Sequence, residues 1–581
     1  MSEKAGIELD GRGEVCFEEG DVKSQGLEPG VDLGAPSPAL KAVVVVPARD
    51  EEELVGACLD GFAAQTGIES DEYEVIVILD GCTDETERAV GEARVRWPAL
   101  RLWTIPGPER GAGPARATGM DLACARLESV AGPGGLLATT DADSVVAADW
   151  IARQLEAIAA GAEAVGGEVI LDPEGVAGLP PEIVRRRESD LVERARLAGG
   201  RGPAEHAHFS GASIGVTPRA YRQAGGMGWL AALEDQDLED RLAGSGVLIH
   251  RLRRVQVVTS ARTDGRAERG LALDLALGRW VAERSYDGAD YSLEQLLDAK
   301  QATVAVVLPA REVAATIGPI LECLLPFGEA GLVDELLVVD ADSVDGTATI
   351  AREHGADVVS ESALSPRLGP CLGKGDAMWR AARAVESELL VFLDADTVNF
   401  TTGFLTGLLG PILSDPELRL VKGAFHRPLA LNGSSHDGEG GRVTELVARP
   451  LLNLHFPALA GFVQPLAGEI AIDRSLFRQL SVPVGYGVEI AMLIDCLRLV
   501  GLDALAQVDL GARQNRHQSL RALSAMACEV MVAAERRGDT ATRPGTAGFR
   551  PRPIPGGEIE TWRLRCDERP ADRDDCSVPS G

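Results

Sequence analysis

The sequence lacks any uninterrupted apolar run of about 20 residues, the length a membrane-spanning helix needs. Even Leu451 to Gly468 is broken by Asn453, His455, two prolines and Gln464. No integral membrane association is therefore expected. Positive charge is also short: 57 Lys and Arg stand against 89 Asp and Glu, a formal net charge of −32. Broad nucleic-acid or anionic-membrane binding needs a positive field, so neither is expected. An anionic small substrate stays open, because it needs only a local cluster of Arg and Lys. Ten cysteines are present without one Cys-x-x-Cys pair, so neither a zinc site nor a disulfide framework is suggested. Free thiols fit a reducing cytoplasm, the expected location. Met1 to Gly34 is acidic and Gly-rich and has no basic-then-apolar signal pattern.

What the sequence does contain, it contains twice. Val43 to Arg49 (VVVVPAR), Asp80 to Asp84 (DGCTD) and Asp141 to Ser144 (DADS) recur as Val304 to Arg311 (VAVVLPAR), Asp340 to Asp345 (DADSVD) and Asp394 to Thr397 (DADT). Pro47 and Pro309, Asp80 and Asp340, and Asp141 and Asp394 lie 262, 260 and 253 residues apart. Constant order and near-constant spacing predict a duplicated domain. In each copy a hydrophobic run stops at a carboxylate, which is how an α/β sheet delivers acidic groups to its ligand-binding edge. A length of 581 residues exceeds the size of one core and accommodates two domains.

The chain divides as a disordered leader over 1–39, a first domain over 40–262, a connector over 263–300, a second domain over 301–538 and a disordered tail over 539–581. Short β-branched runs at Val43–Val46, Val75–Leu79 and Leu136–Thr140 predict buried strands, repeated at Val304–Leu308, Glu335–Val339 and Leu389–Leu393. Helices are expected over Glu51–Gln65, Val313–Leu325 and Gly375–Val385, with one more in the connector at Leu271–Arg284. Asn432 to Gly441 reads as a mobile loop. Strand–helix alternation gives an α/β parallel sheet in each half.

Two carboxylates at i and i+2 past a strand end can face a cation bound to a diphosphate. Mg²⁺ or Mn²⁺ takes one or two carboxylates, phosphate oxygens and water. Such an ion would neutralise a departing nucleoside diphosphate. Gly369 to Lys374 is one residue short of a P-loop and lacks the following Ser or Thr, so that reading is rejected. Gly441-Arg442-Val443-Thr444 offers backbone N–H, a forked guanidinium and a hydroxyl, suited to phosphate or carboxylate. Lys374, between glycines, can approach a phosphate closely, and the turn Gly485-Tyr486-Gly487 presents Glu489.

Both halves resemble the A-type glycosyltransferases, which implies an α/β chain of two tandem nucleotide-diphospho-sugar transferase (Rossmann-like) domains. The second half is similar to the glucosyl-3-phosphoglycerate synthases of glycosyltransferase family 81. Seven ordered motifs carry this: Pro309 to Glu312, Asp340 to Ser343, Gly373 to Asp376, Phe392 to Thr397, Val421 to Gly423, Gly440 to Leu446 and Gly485 to Ile490. The resemblance implies metal-dependent, retaining transfer of glucose from UDP-glucose or GDP-glucose to the 2-hydroxyl of 3-phospho-D-glycerate. It implies donor contacts from Pro309, Ala310, Arg311, Glu312, Asp340, Ser343, Lys374 and Asp394. Acceptor contacts fall to Gly441, Arg442, Thr444, Arg513 and Asn515, and catalysis to Glu489 and Asp396. Asp396 and His517 would ligate Mg²⁺, Mn²⁺ or another divalent cation. The family places a His two residues before an Asn; Arg513-Gln514-Asn515-Arg516-His517 has the opposite order, so either His517 or Asn515 serves as ligand. A homodimer is the expected assembly.

The first half resembles glycosyltransferase family 2. Donor contacts are then expected from Pro47, Arg49, Asp80, Arg116 and Asp141, a metal ligand in Asp143, and a catalytic base in Asp235. Glu234, Asp237, Glu239 and Asp240 crowd the same stretch, through like-charge coupling or as a solvated helix face. His206 and His208 lack a third ligand and are not read as a metal site. Alternative readings are a transferase acting on a lipid or polysaccharide precursor, a catalytic second half on a non-catalytic first half, and, more weakly, a nucleotidyltransferase.

Overall fold

A computed structural model describes residues 8–9, 15–16, 33–131, 134–185, 187–188, 191, 206, 208–230, 232–263, 265, 270–426, 429–431, 434–436, 441–514, 519–538, 549–553, 559–563 and 568–571. The chain forms two compact units, residues 1–279 and 280–581.

Eight strands build the first unit's sheet: β1 (Ala42–Ala48), β2 (Tyr73–Leu79), β3 (Leu102–Pro106), β4 (Leu136–Thr139), β5 (Ser144–Val146), β6 (Ala164–Leu171), β7 (Ile214–Val216) and β8 (Ile249–Thr259). Their order is β3-β2-β1-β4-β7-β6-β8-β5. β1 pairs in parallel with β2 and β4, whereas β7 runs antiparallel to both β4 and β6. The run Val43–Val46 is buried on both faces because alternate side chains leave it in opposite directions. Ala42, Val44 and Val46 pack with Val55, Cys58 and Phe62 of helix α1 (Val55–Ala63). Val43 and Val45 pack with Ala115, Met120 and Leu127 of α2 (Ala112–Ala131).

The second unit repeats the plan with β9 (Ser285–Asp287), β10 (Val304–Ala310), β11 (Glu335–Asp340), β12 (Asp357–Ser360), β13 (Leu389–Phe392), β14 (Leu420–His426), β15 (Ile470–Asp473) and β16 (Leu505–Ala512). Their order is β9-β16-β14-β15-β13-β10-β11-β12. Strand for strand, β10, β11, β12, β13, β14, β15 and β16 repeat β1, β2, β3, β4, β6, β7 and β8, and β15, like β7, runs antiparallel to both its neighbours. Val304, Val306 and Leu308 face Ile317, Ile320 and Leu324 of the helix Ile317–Glu329. Ala305 and Val307 face Ala377, Met378 and Ala381 of the helix Lys374–Ala384.

Three boundaries differ from the sequence reading. The helices expected from Glu51 and Val313 begin at Val55 and Ile317. In both cases the chain after the first strand is held in a turn, with Glu51 N–H on Thr86 Oγ1 and Val313 N–H on Thr347 Oγ1. The connector contains its helix, Leu271–Glu283, but the unit boundary falls inside it, and Ser285–Asp287 pairs with β16 as an edge strand of the second sheet. Residues 285–299 are therefore no linker. Most of the leader, the tail and the 432–441 loop lie outside the described residues. Leu33 and Ser37 are nevertheless buried, Ser434–His436 pairs with Leu429–Leu431, and Glu568–Arg569 pairs with Val482–Pro483, so the expected disorder does not hold there. Among the described residues, no helix is long and apolar enough to cross a membrane.

Candidate active sites

In the second unit the Asp-x-Asp lies just past β13, and the chain packs five further charged side chains around it. Arg513, one residue past β16, sends Nη2 to Asp394 Oδ2 at 2.9 Å and to Asp396 Oδ1 at 3.0 Å. Its Nη1 lies 2.9 Å from Glu469 Oε1. Lys374, the first residue of its helix, places Nζ 2.6 Å from Asp394 Oδ1 and 2.8 Å from Glu489 Oε1. Lys422, buried on β14, donates to the Ala467 carbonyl at 2.6 Å. Glycine makes the approach feasible: a Cβ on Gly468 would stand 2.3 Å from both Asp394 Oδ1 and Lys374 Nζ. Thr316 Oγ1 pins the Asp-x-Asp loop by donating to the Ala395 carbonyl at 2.6 Å.

Electrostatics follows from that packing. Burial alone would raise the Asp394 carboxyl, but Lys374 and Arg513 outweigh it and hold it well below the usual carboxylate range. Burial would lower the Lys374 ammonium, yet Asp394 and Glu489 hold it above its ordinary value. Lys422 goes the other way: burial pushes it down to about 8 against the attraction of Glu489. Asp396 is the open member of the cluster, its side chain 46% exposed.

The residues expected to contact the donor lie at the ends of β10 and β11. Pro309 and Ala310 close β10, Arg311 and Glu312 are exposed beyond it, and Glu312 adopts φ +53°. That left-handed backbone is strained for a residue with a Cβ, and such strain gathers at functional loops. It lets Glu312 N–H donate to Ser343 Oγ at 3.0 Å while Glu312 Oε1 accepts from Val344 N–H at 2.9 Å. Asp340 is buried at the end of β11, takes Ser343 N–H on Oδ2 at 3.1 Å, and leaves Oδ1 without a partner among the described residues. A buried lone oxygen of this kind asks for a donor from a ligand.

Gly441, Arg442 and Thr444 open the helical stretch that runs to His455, with Thr444 buried in its first turn. Asn515 and His517 lie outside the described residues. Among the described residues, no group of three or more His, Cys, Asp or Glu side chains converges as a complete metal cage. That donor set still fits Mg²⁺ or Mn²⁺, which needs only one or two carboxylates when phosphate and water supply the rest.

The first unit arranges its residues similarly, with different cations. Arg116, buried in α2, reaches Asp141 Oδ1 at 2.5 Å, Glu234 Oε1 at 3.1 Å, Thr139 Oγ1 at 2.7 Å and the Gly211 carbonyl at 2.9 Å. It is thus tied up internally, one helical turn beyond Ala112, the first residue of α2 as Lys374 is of its helix. Arg262, just past β8, holds Asp143 Oδ2 at 3.0 Å and Glu51 Oε1 at 2.7 Å. Burial and then the Asp141 charge raise the Asp143 carboxyl to about 6, against the pull of Arg262. Asp80 differs from Asp340: its oxygens accept from Glu109 N–H at 2.6 Å and Gly111 N–H at 2.8 Å, with Arg49 4.0 Å away. Pro47 is buried within β1. Asp235 accepts from Gly211 N–H at 3.1 Å. The acidic run around it is paired, Glu234 with Arg116, Asp237 with Arg241 and Glu239 with Arg251.

Glu469, Glu51 and Arg262 are site residues that motif reading passes over, and Lys422 lies in the Val421–Gly423 motif without having been assigned a role. Glu469 is a lone acid at the mouth of the apolar strand Ile470–Asp473, a signal that could have found it.

Residues 43–212 and 305–425 both match the family described as Glycosyl transferase family 2. Glucosyl-3-phosphoglycerate synthase of Mycolicibacterium smegmatis is 41% identical over 255 residues, which cover 44% of this chain and 84% of the relative. The crystal structure of mannosyl-3-phosphoglycerate synthase from Rubrobacter xylanophilus is 44% identical, with 51% of this chain and 96% of that chain covered at a TM-score of 0.46. Glucosyl-3-phosphoglycerate synthase from Mycobacterium tuberculosis, in complex with Mn²⁺, uridine-diphosphate and phosphoglyceric acid, is 38% identical over 48% of this chain and 94% of that chain, TM-score 0.44.

Proposed function

We propose that this chain, which belongs to glycosyl transferase family 2 and is a glycosyltransferase, transfers glucose from UDP-glucose, or GDP-glucose, to the 2-hydroxyl of 3-phospho-D-glycerate at the Asp394–Asp396 site of its second unit. The observation that carries the reading is the convergence of Lys374, Arg513 and Glu489 on the Asp-x-Asp at the end of β13. Two facts support it further. The match to the smegmatis relative is 255 residues long, close to one unit, and the motifs of the resemblance lie in the second half.

In this reading Asp340, with its free buried oxygen, takes an N–H or O–H of the nucleoside, and the strained Arg311–Glu312 turn backs it. Lys374 stays cationic because Asp394 and Glu489 flank it, so it can face the diphosphate as negative charge develops on the leaving oxygen. Arg513 orients both aspartates, with Gly441, Arg442, Thr444 and Asn515 as acceptor contacts. Asp396 and His517 would hold Mg²⁺ or Mn²⁺. The bound ion supplies neutralisation of the departing nucleoside diphosphate. Transfer proceeds with retention of anomeric configuration, in the cytoplasm, from a homodimer.

The first unit is proposed as a second transferase with its own acceptor, using Asp80, Arg116, Asp141, Asp143 and Asp235. The saturation of Asp80 by Glu109 and Gly111 favours a second reading for it, a non-catalytic scaffold. Titrating UDP-sugars with Mn²⁺ into the full-length chain carrying Asp340→Ala, Asp394→Ala and Asp396→Ala, with and without Asp141→Ala and Asp143→Ala, separates the two: binding heat lost with the first unit's aspartates supports a transferase, and none lost supports a scaffold. The main reading is tested by incubating the protein with UDP-glucose, 3-phosphoglycerate and Mg²⁺. UDP release with a glucosylated phosphoglycerate is expected; no glucosyl product from any nucleoside-diphosphate glucose would refute it.

A further inference from the structure

We propose that the C-terminal segment Glu568 to Ala571 is a positioning strap that holds the Lys374–Glu489 ion pair in register. Its effect on transfer rests on the function just proposed; its effect on structure does not.

The strap joins the two elements that deliver that pair. Arg569 pairs with Val482 and Glu568 with Pro483 in a short antiparallel ladder, five residues before the helix Val488–Val500 that carries Glu489 in its first turn. Glu568 fastens the same stretch, accepting from Ser481 Oγ at 2.8 Å and pairing with Arg537 Nη1 at 3.0 Å. On the other side Arg569 grips Asp376 with both ends of its fork, Nε at 2.7 Å and Nη2 at 2.9 Å. Asp376 is fully buried and stands two residues past Lys374 in the first turn of the helix Lys374–Ala384. The next residue of the strap, Pro570, accepts from Trp379 Nε1 of that helix at 3.2 Å.

The clamped elements touch one another where the strap crosses them. Asp376 N–H donates to the Val484 carbonyl at 3.2 Å, and a Cβ on Gly375 would meet the Pro483 carbonyl oxygen at 1.9 Å. Asp376 also takes Leu372 N–H at 3.0 Å, so the loop leading into Lys374 hangs from the same carboxylate. Arg380 supplies that carboxylate with a second cation from within the helix, at 3.1 Å. Arg569 is the cation that comes from outside the helix and ties it to the Val482–Pro483 strand. A bidentate guanidinium fixes orientation as well as charge, which a helix-internal pair one turn away does not do for a neighbouring strand.

The test uses the full-length chain with Arg569→Ala and Arg569→Lys. Amide hydrogen exchange is measured over 371–378 and 482–489, beside kcat and the KM for phosphoglycerate. For Arg569→Ala, faster exchange confined to both segments is expected, with kcat reduced about tenfold or more and KM little changed, because small misplacements at a reacting centre are costly. Arg569→Lys should recover part of both. Unchanged exchange in Arg569→Ala, or exchange raised throughout the unit instead of in these two segments, would overturn the strap. Should the unsubstituted protein form no glucosyl product while Arg569→Ala still loosens both segments, the strap stands and the acceptor assignment falls.

Discussion

Arg513 Nη2 stands 3.0 Å from Asp396 Oδ1, so the carboxylate proposed as a metal ligand already faces a guanidinium. A divalent ion held there would share that carboxylate with Arg513. Asp396 is the more exposed of the two aspartates, at 46% against 20%, which makes it the one able to serve both.

Asp396→Ala is accordingly expected to abolish transfer, a loss of roughly a hundredfold or more, as for other groups that stabilise charge in the transition state. Stability should move by no more than about 0.5 kcal/mol, as for an exposed site. UDP release and thermal melting measure the two; retained turnover would remove the metal role.

Arg513→Met should behave oppositely in stability. Arg513 and Glu469 are each only 1% exposed, and losing the guanidinium removes Glu469's buried cationic partner and weakens the hold on Asp394. Breaking a buried pair from one side costs about 3–5 kcal/mol. Urea unfolding should show a clear drop, and an unchanged midpoint would mean that the pair contributes nothing.

Lys422 sets a pH dependence. Burial lowers it to about 8, Lys374 adds to that, and Glu489, Glu469 and Asp394 oppose. An unfolded lysine titrates near about 10.4. Between these values the unfolded chain binds more protons than the folded one, so stability rises with pH. From about pH 7.5 to 9.5 the protein should gain on the order of 2 kcal/mol relative to Lys422→Met. Parallel urea curves at both pH values would show that Lys422 does not titrate in this window.

Gly375→Ala probes packing at the Lys374 turn. The added Cβ falls 1.9 Å from a backbone oxygen of Pro483, which cannot swing aside as a side chain can. Overpacking of this kind costs about 1–3 kcal/mol, and transfer should fall because Lys374 is displaced. Wild-type kcat in a folded Gly375→Ala protein would contradict this.

Much of the scaffold was legible because its signals are local. Val43–Val46 and Val304–Leu308 read as strands since β-branched runs buried on both faces need no partner information. Asp394 and Asp396 could be placed at a strand end for the same reason. The helix starts at Val55 and Ile317 were read four residues early, because the turn before each is stapled to a distant loop by Thr86 and Thr347. The roles of Lys422 and Glu469 were not legible because β15 pairs with β13 on one side and β14 on the other, bringing distant stretches of chain to the Asp-x-Asp, which no local window shows. Arg569 lies in a stretch whose Pro, Arg and Asp content reads as tail, yet its partner Asp376 is 193 residues away.

The most direct test compares two full-length variants for glucosyl-phosphoglycerate formation from UDP-glucose, 3-phosphoglycerate and Mg²⁺. One carries Asp394→Ala and Asp396→Ala, the other Asp141→Ala and Asp143→Ala. The account predicts product from the second variant and none from the first. Product from the first variant, with loss in the second, would contradict it.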